Sequence, residues 1–275
     1  MRGCFQWNQD DPVITFDIDW APDCAIEHVA GILAERRIRS TWFVTHASPA
    51  VERLRSRPEL FELGIHPNFL PGSSHGATPE RVLRRCLELV PEAVSMRSHA
   101  LVQSTPLLRQ IVSDTSIRTD VSLYLPEQRG LRPVAFHTKS GTLLRVPFLW
   151  EDDLLLEHRE PCMDGFEALA GVEGLKVFNF HPIHIYLNSR TMQPYETVKR
   201  LRPRLTEVTD AEASPYVEQG MGTRALFLWL LDRIGAARRI RDIHAEWQRG
   251  HADGWPASRS GSSPDIWTAT KRQAS

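Results

Sequence analysis

Short runs of β-branched and aromatic residues alternate along the chain with longer segments in which apolar residues recur every three or four positions. The short runs predict buried strands, and the longer segments predict helices with one apolar face. The predicted strands are 13–17, 40–45, 63–66, 94–97, 117–123, 133–137, 142–149 and 175–181. The predicted helices are 22–37, 49–57, one that Thr78, Pro79 and Glu80 open, 105–113 and 223–248. This alternation predicts parallel β–α–β units, and therefore a barrel or a doubly wound sheet.

The end of the chain divides into a helix and a polar tail. Apolar residues from Thr223 to Gln248 lie near one helical face, which predicts a single long helix that packs against the body of the protein. From Gly250 the sequence turns to glycine, serine, proline and isolated charges, which predicts disorder. We therefore expect one domain over residues 1–249 and a disordered tail over 250–275.

Composition excludes several classes of function. The chain has 275 residues, of which 41% are hydrophobic and 24% charged, and a formal net charge of −1. This balance provides no basic surface for nucleic acid or an anionic membrane. No segment reaches the roughly 18 apolar residues of a membrane span, and the first residues show no signal segment. The expectation is a cytoplasmic protein whose oligomeric state the sequence leaves open.

The cysteines do not point to a metal site or to disulfides. Cys4, Cys24, Cys86 and Cys162 match neither a CxxC ligand pair nor a disulfide framework, so we expect reduced thiols.

Polar residues with catalytic potential follow the predicted strands, where each strand ends. They are Asp17, Asp19, His66, Arg97 and His181. In barrels and open α/β sheets, the carboxyl ends of the strands converge on the site. The sequence therefore predicts that these side chains meet.

Asp17 and Asp19 stand two positions apart, so on an extended chain their carboxylates share a face and repel each other unless a cation relieves them. A metal bound by one aspartate, with the other acting as general base, resolves the repulsion; the alternative is an acidic helix start. Asp19, His66 and His75 together form a ligand set that suits Zn²⁺, and also Fe²⁺, Mn²⁺ or Co²⁺. His99 is the alternative third ligand, and each histidine could instead have only a structural role.

Further residues near the strand ends have candidate roles. Arg97 could orient a carboxylate base, or lie at the surface. His181 or His184 could protonate a leaving amine, or be buried for structural reasons.

The order of these residues resembles the NodB-type polysaccharide deacetylases, carbohydrate esterase family 4, and especially members associated with surface polysaccharides. The segment Thr15-Phe16-Asp17-Ile18-Asp19 resembles the family's first motif, and Gly64-Ile65-His66-Pro67-Asn68 resembles its second. Arg97 resembles the third motif, 148–153 echoes the fourth, and Phe180-His181 resembles the last. The second histidine of motif two is displaced here, and His99 stands where motif three has a proline.

The resemblance implies a distorted (β/α)7 barrel and a set of roles. Asp17 becomes the general base, Arg97 its orienting partner and His181 the general acid, while Asp19 and His66 bind the metal with His75. Trp20, His99, Trp150 and His184 are expected to contact the substrate. That substrate would be an acetylated amino sugar, free or linked to a nucleotide or lipid. Two alternatives remain: hydrolysis of another linear or cyclic amide, as in allantoinase-like relatives, and an inactive carbohydrate-binding barrel.

Overall fold

The structure, a computed structural model, describes residues 12–126 and 128–251. Cys4 and residues 252–275 of the predicted tail lie outside the described residues, so the expected disorder stays a prediction. Gly250 and His251 belong to the last helix. The single domain over residues 1–249 likewise stays a prediction.

Nine strands are described. They are β1 (Val13–Asp17), β2 (Ser40–Val44), β3 (Phe61–Ile65), β4 (Ser95–Met96), β5 (Thr119–Tyr124), β6 (Val134–Thr138), β7 (Gly141–Phe148), β8 (Trp150–Glu151) and β9 (Val177–Phe180).

Eleven α-helices are described, together with three short 3₁₀ turns. The helices are α1 (Asp23–Arg36), α2 (Pro49–Arg55), α3 (Pro79–Leu89), α4 (Thr105–Asp114), α5 (Asp152–His158), α6 (Met163–Ala170), α7 (Pro182–Leu187), α8 (Gln193–Val198), α9 (Asp210–Ala213), α10 (Thr223–Arg233) and α11 (Ile240–His251).

The strands form one sheet in the order β6-β7-β5-β4-β3-β2-β1-β9-β8. All neighbouring pairs are parallel except β6 and β7, which pair antiparallel. The chain thus has the α/β fold with a mostly parallel central sheet that the sequence predicts. Because the strands are parallel, their carboxyl ends lie at one edge, where polar side chains can meet.

The two ends of the sheet are connected through the chain itself. Only Leu149 separates β7, which pairs with β5, from β8, which pairs with β9. The backbone N–H of Leu149 also donates to Val177 O at 3.1 Å. Closure into a distorted (β/α)7 barrel stays a prediction, and this continuity supports it.

The start of α3 confirms the helix start predicted from the sequence. Thr78 caps α3 by accepting from the backbone N–H of Arg81, and Pro79 takes the first helical position, where a missing N–H costs nothing. Ser48 caps α2 in the same way before Pro49.

The prediction of one long helix from Thr223 to Gln248 is wrong. The structure has α10 and α11, separated by residues 234–239. The backbone N–H of Arg238 donates to Pro12 O, and Arg238 forms a bridge with Val13 at the start of β1. Pairing with β1 requires extended backbone, so tertiary contact interrupts a segment whose apolar periodicity favours helix.

In the part of the chain that the structure describes, no helix combines the length and the apolar character that crossing a bilayer requires.

Candidate active site

Polar side chains from five strand ends line a cavity of about 340 Å³ at the carboxyl edge of the sheet. Its lining residues are Asp17, Asp19, His66, Ser98, His99, Ala100, Leu101, Glu151, Asp153, Leu154, Glu157 and His181. The predicted convergence of Asp17, Asp19, His66 and His181 is therefore observed.

A tight turn, and not extended backbone, presents Asp19. The N–H of Ala21 donates to Ile18 O at 2.8 Å, and both central residues are left-handed, with φ of 44° at Asp19 and 57° at Trp20. Such backbone is costly for a tryptophan, by about 1–3 kcal/mol. The N–H of Trp20 donates to Thr45 Oγ1 at 3.0 Å, which helps hold the turn in place.

The turn places Asp19 between two imidazoles. Asp19 Oδ1 lies 3.0 Å from His66 Nε2 and 3.1 Å from His99 Nδ1. Burial by itself raises the pKa of Asp19, but the hydrogen bond and charge of His66, the hydrogen bond of His99 and the charge of His181 outweigh it and hold this pKa well below its usual range. Asp19 is therefore a carboxylate, the form that binds metals.

The donor atoms of Asp19, His66 and His99 fit a small divalent cation. One ligand atom from each residue lies within 4.8 Å of the others. Bonds of 2.0–2.2 Å place two ligands of a tetrahedral zinc ion about 3.4 Å apart, close to the separations found here. His66 Nδ1 has no hydrogen-bond partner among the described residues and lies 3.7 Å from Asp17 Oδ1.

Both oxygens of Asp17 accept hydrogen bonds, so its carboxylate is fixed. Arg97 Nη1 donates to Oδ1 at 3.0 Å, and Asn179 Nδ2 donates to Oδ2 at 2.9 Å. Asn179 is itself held because its Oδ1 accepts from Thr15 Oγ1 and from Arg97.

The guanidinium of Arg97 is fully buried. It also donates from Nε to Val121 O and from Nη2 to Thr15 Oγ1, each at 3.0 Å. Its Cζ lies over two aromatic rings, 4.8 Å from the Phe43 centroid and 4.4 Å from that of Phe148. These contacts offset part of the large cost of burying a charge.

Three consecutive acids at the start of α5 surround His181. Asp152 accepts from its Nδ1 at 2.7 Å, while Glu151 and Asp153 lie 3.9 and 3.6 Å from its Nε2. Burial lowers the pKa of His181, but the negative charges of Asp153, Asp152 and Asp19 raise it well above its usual value. The surrounding acids therefore favour the protonated imidazole, whose Nε2–H faces the cavity.

The structure does not bring His75 into the cluster. Its Nε2 donates to Thr45 O at 2.8 Å, and its Nδ1 accepts from the backbone N–H of Asn68 at 3.1 Å. Both ring nitrogens are thus engaged with backbone, and His75 fastens the loop after His66 to the end of β2. The position that the sequence analysis gives to His75 is taken by His99, expected there as a substrate contact or an alternative ligand.

Trp150 and His184, expected to contact substrate, lie away from the cavity. Trp150 is 5% exposed, and its ring packs 4.7 Å from that of Phe180 and 4.9 Å from that of Phe166. His184 is 1% exposed, with hydrogen bonds to Asp153 Oδ1 and Ser189 Oγ. Trp150 points away from the cavity because adjacent residues of a strand point to opposite faces and Glu151 takes the cavity side. His184 lies inside helix α7, one turn after the strand end.

Trp20 is half-buried beside the cluster. Its ring centroid lies 5.3 Å from that of His99 and 5.5 Å from that of His75. It lines a second cavity, of about 700 Å³, and not the one that contains Asp17. A substrate contact by Trp20 stays a prediction.

The sequence and the fold were both compared with those of known proteins. A family model for WbmS-like polysaccharide deacetylases matches residues 14–199. The chain belongs to this family. Among solved structures, a protein from Bordetella bronchiseptica described as a polysaccharide deacetylase involved in O-antigen biosynthesis is 32% identical, with a TM-score of 0.70. The match covers 82% of this chain and 91% of that one. Among curated proteins, no match was found.

Two solved structures with lower sequence identity are also similar to this chain. The peptidoglycan deacetylase PdaC from Bacillus subtilis is 12% identical over 90% of this chain and 95% of that one, with a TM-score of 0.45. A CE4-family pseudoenzyme from Bacillus anthracis is 11% identical over 86% and 66%, with a TM-score of 0.43. At these scores neither likeness carries an argument.

The sequence analysis gave no role to Glu151, Asp152, Asp153 or Asn179 in this family member. For the three acids the sequence does contain a signal: they follow one another directly after the aromatic strand residue Trp150, and no basic residue stands among them. For Asn179 no comparable signal exists, because a buried asparagine in an apolar strand looks the same whether it positions a catalytic group or not.

Proposed function

We propose that this chain is a metal-dependent amide hydrolase that removes the N-acetyl group from an amino sugar, a precursor of a surface polysaccharide in free, nucleotide-linked or lipid-linked form. The observation that carries the proposal is one cavity that contains three possible metal ligands, the hydrogen-bonded carboxylate of Asp17, and His181, whose acidic neighbours favour the protonated imidazole. Family membership supports the deacetylase reaction, and the O-antigen role of the Bordetella relative supports the class of substrate.

In this proposal Asp19, His66 and His99 hold the metal, with zinc favoured by the two nitrogens and one oxygen that they supply. When bound there, the metal supplies Lewis acidity: it polarises the acetamide carbonyl and acidifies water. His75, the third ligand favoured by the sequence analysis, is less suitable because its Nδ1 lone pair already accepts from the backbone N–H of Asn68.

The chain's own groups then move the protons. Asp17, held by Arg97 and Asn179, accepts a proton from the attacking water, whose oxygen bonds to the acetamide carbon. His181 donates its Nε2 proton to the nitrogen as the carbon–nitrogen bond breaks. The products are acetate and a free amino sugar, and each proton has a named source and acceptor.

The proposal is tested by acetate release. Protein stripped with a chelator and reloaded with Zn²⁺, Co²⁺ or Mn²⁺ would be incubated with N-acetylglucosamine, UDP-N-acetylglucosamine and, as a cyclic amide, allantoin. We expect acetate from an acetylated sugar only with metal, and a loss of about a hundredfold or more in Asp17→Asn. Glu157→Gln is the matched control, since it removes an exposed carboxylate from the same cavity.

Two outcomes would overturn it. Hydrolysis of allantoin without release of acetate would assign the site to another amide. Metal binding with no turnover of any probe would favour the alternative that the protein is an inactive carbohydrate-binding barrel.

A further inference from the structure

Glu151 is a buried acid that the proposed mechanism does not use. Its side chain is 9% exposed, and it lines the cavity beside Asp17 and His181. Asn179 Nδ2 donates to its Oε1 at 3.3 Å, but its Oε2 has no hydrogen-bond partner among the described residues. An unsatisfied buried polar atom costs free energy, so a ligand that hydrogen-bonds to this carboxyl group would offset part of that cost.

The charge of the cavity restricts what that ligand can be. Five of its lining residues are aspartate or glutamate, and none is lysine or arginine. Around Glu151 an uncharged group of the substrate is therefore favoured over a phosphate. Burial, reinforced by Asp17 and Asp153 and opposed by His181, raises the pKa of Glu151 to about 8, so its neutral carboxyl can both donate and accept. An uncharged hydroxyl matches such a group.

The position of Glu151 indicates which hydroxyl. Its Oε1 lies 3.9 Å from His181 Nε2, the atom that donates to the departing nitrogen in the proposed mechanism. Asn179 Nδ2 bridges Asp17 Oδ2 and Glu151 Oε1, so the acid stands immediately beside the base as well. On an amino sugar, the hydroxyl on the ring carbon next to the one that bears the acetamido group is the nearest polar group that Glu151 could contact.

We propose that Glu151 is a specificity-determining residue whose carboxyl group hydrogen-bonds the uncharged hydroxyl adjacent to the acetamido group of the sugar. The inference rests on the proposed function for the orientation of the sugar. It adds that this position of the substrate bears a neutral hydrogen-bonding group and that any anionic carrier lies outside the cavity.

The test pairs a protein change with a substrate change. Glu151→Leu removes the hydrogen bond at similar volume, and Glu151→Gln keeps a donor and an acceptor. The probes are UDP-N-acetylglucosamine and its 3-deoxy analogue, with KM and kcat from acetate release and Kd from saturation-transfer NMR. We expect Glu151→Leu to raise KM and Kd tenfold to a hundredfold with a smaller change in kcat, and Glu151→Gln to stay within about threefold of wild type.

The decisive result is non-additivity. The 3-deoxy probe should bind wild type more weakly by the same factor and lose nothing further with Glu151→Leu. Glu157→Leu, in the same cavity, should not discriminate between the probes. Additive losses, or equal KM in Glu151→Leu and wild type, would overturn the inference.

The measurements distinguish failure of the deacetylase proposal from failure of the inference about Glu151. If wild type binds the probes without releasing acetate, the deacetylase proposal fails, and the Kd values still decide the role of Glu151. If metal-loaded wild type neither binds nor hydrolyses them, both are overturned. Should Glu151→Leu not fold, the comparison of Glu151→Gln with wild type on the two probes decides, because a Gln variant that loses discrimination contradicts the inference.

Discussion

Asp152 accepts two hydrogen bonds from the same residue: one from the backbone N–H of His181 at 2.9 Å and one from its ring Nδ1 at 2.7 Å. Because Oδ2 takes the backbone donor of His181 and Oδ1 takes its ring donor, the strand end and the imidazole are fixed together. The Nε2–H is thereby directed into the cavity.

Asp152→Asn should disable this arrangement. An amide cannot accept both bonds without placing its own NH2 group against a donor, and it removes a negative charge that raises the pKa of His181. The protonated imidazole is lost as pH rises through that raised pKa, so the alkaline limb of the kcat/KM profile should move to lower pH. We expect kcat to fall about a hundredfold with metal content unchanged. A variant with the wild-type pH profile would contradict the assignment of His181 as acid.

Arg97→Met should destabilise the protein. The change leaves the carboxylate of Asp17, itself 3% exposed, without its buried counter-charge, which costs about 3–5 kcal/mol. Urea denaturation measures the loss. Arg190→Ala is the control, because its ion pair with Glu160 is exposed and should contribute less than about 1 kcal/mol. Equal losses in the two variants would contradict a network organised around Asp17.

His99→Ala and His75→Ala separate the two candidate third ligands. His99 faces Asp19, so its loss should reduce bound metal well below one per chain, while His75→Ala should keep the metal and lower only thermal stability. Elemental analysis after dialysis gives the ratio. The reverse pattern would restore His75 as the ligand.

Glu62→Gln should alter how stability depends on pH. Glu62 is fully buried and accepts from Thr41 Oγ1, Ser95 Oγ and the backbone N–H of Arg241. Burial, partly offset by these contacts, raises its pKa above the ordinary value of 4.5. The folded state therefore binds the proton more tightly, and this contribution to stability is lost as pH rises from the unfolded pKa through the folded one.

Glutamine is neutral throughout, so the unfolding free energy of Glu62→Gln should fall less between about pH 4.5 and pH 7 than that of wild type. Urea titrations at several pH values provide the comparison, with the exposed Glu59→Gln as control. Parallel curves for wild type and Glu62→Gln would show that Glu62 titrates normally.

The sequence by itself determined the alternation of strands and helices, the cap at Thr78, and the family. It also placed Asp17, His66 and His181 together, because residues that end parallel strands share an edge whatever the details of packing. These features depend on local propensity and on one general rule of topology, both of which are readable along the chain.

Only the tertiary structure decided which side chains turn inward. The left-handed turn at Asp19, the backbone partners that occupy His75, and the burial of Trp150 against Phe180 arise from contacts between segments far apart in the chain. The same is true of the break before α11, where Arg238 pairs with β1. Periodicity records which positions are apolar, but the direction of a ring or carboxylate at a strand end depends on partners that only folding brings within hydrogen-bonding distance.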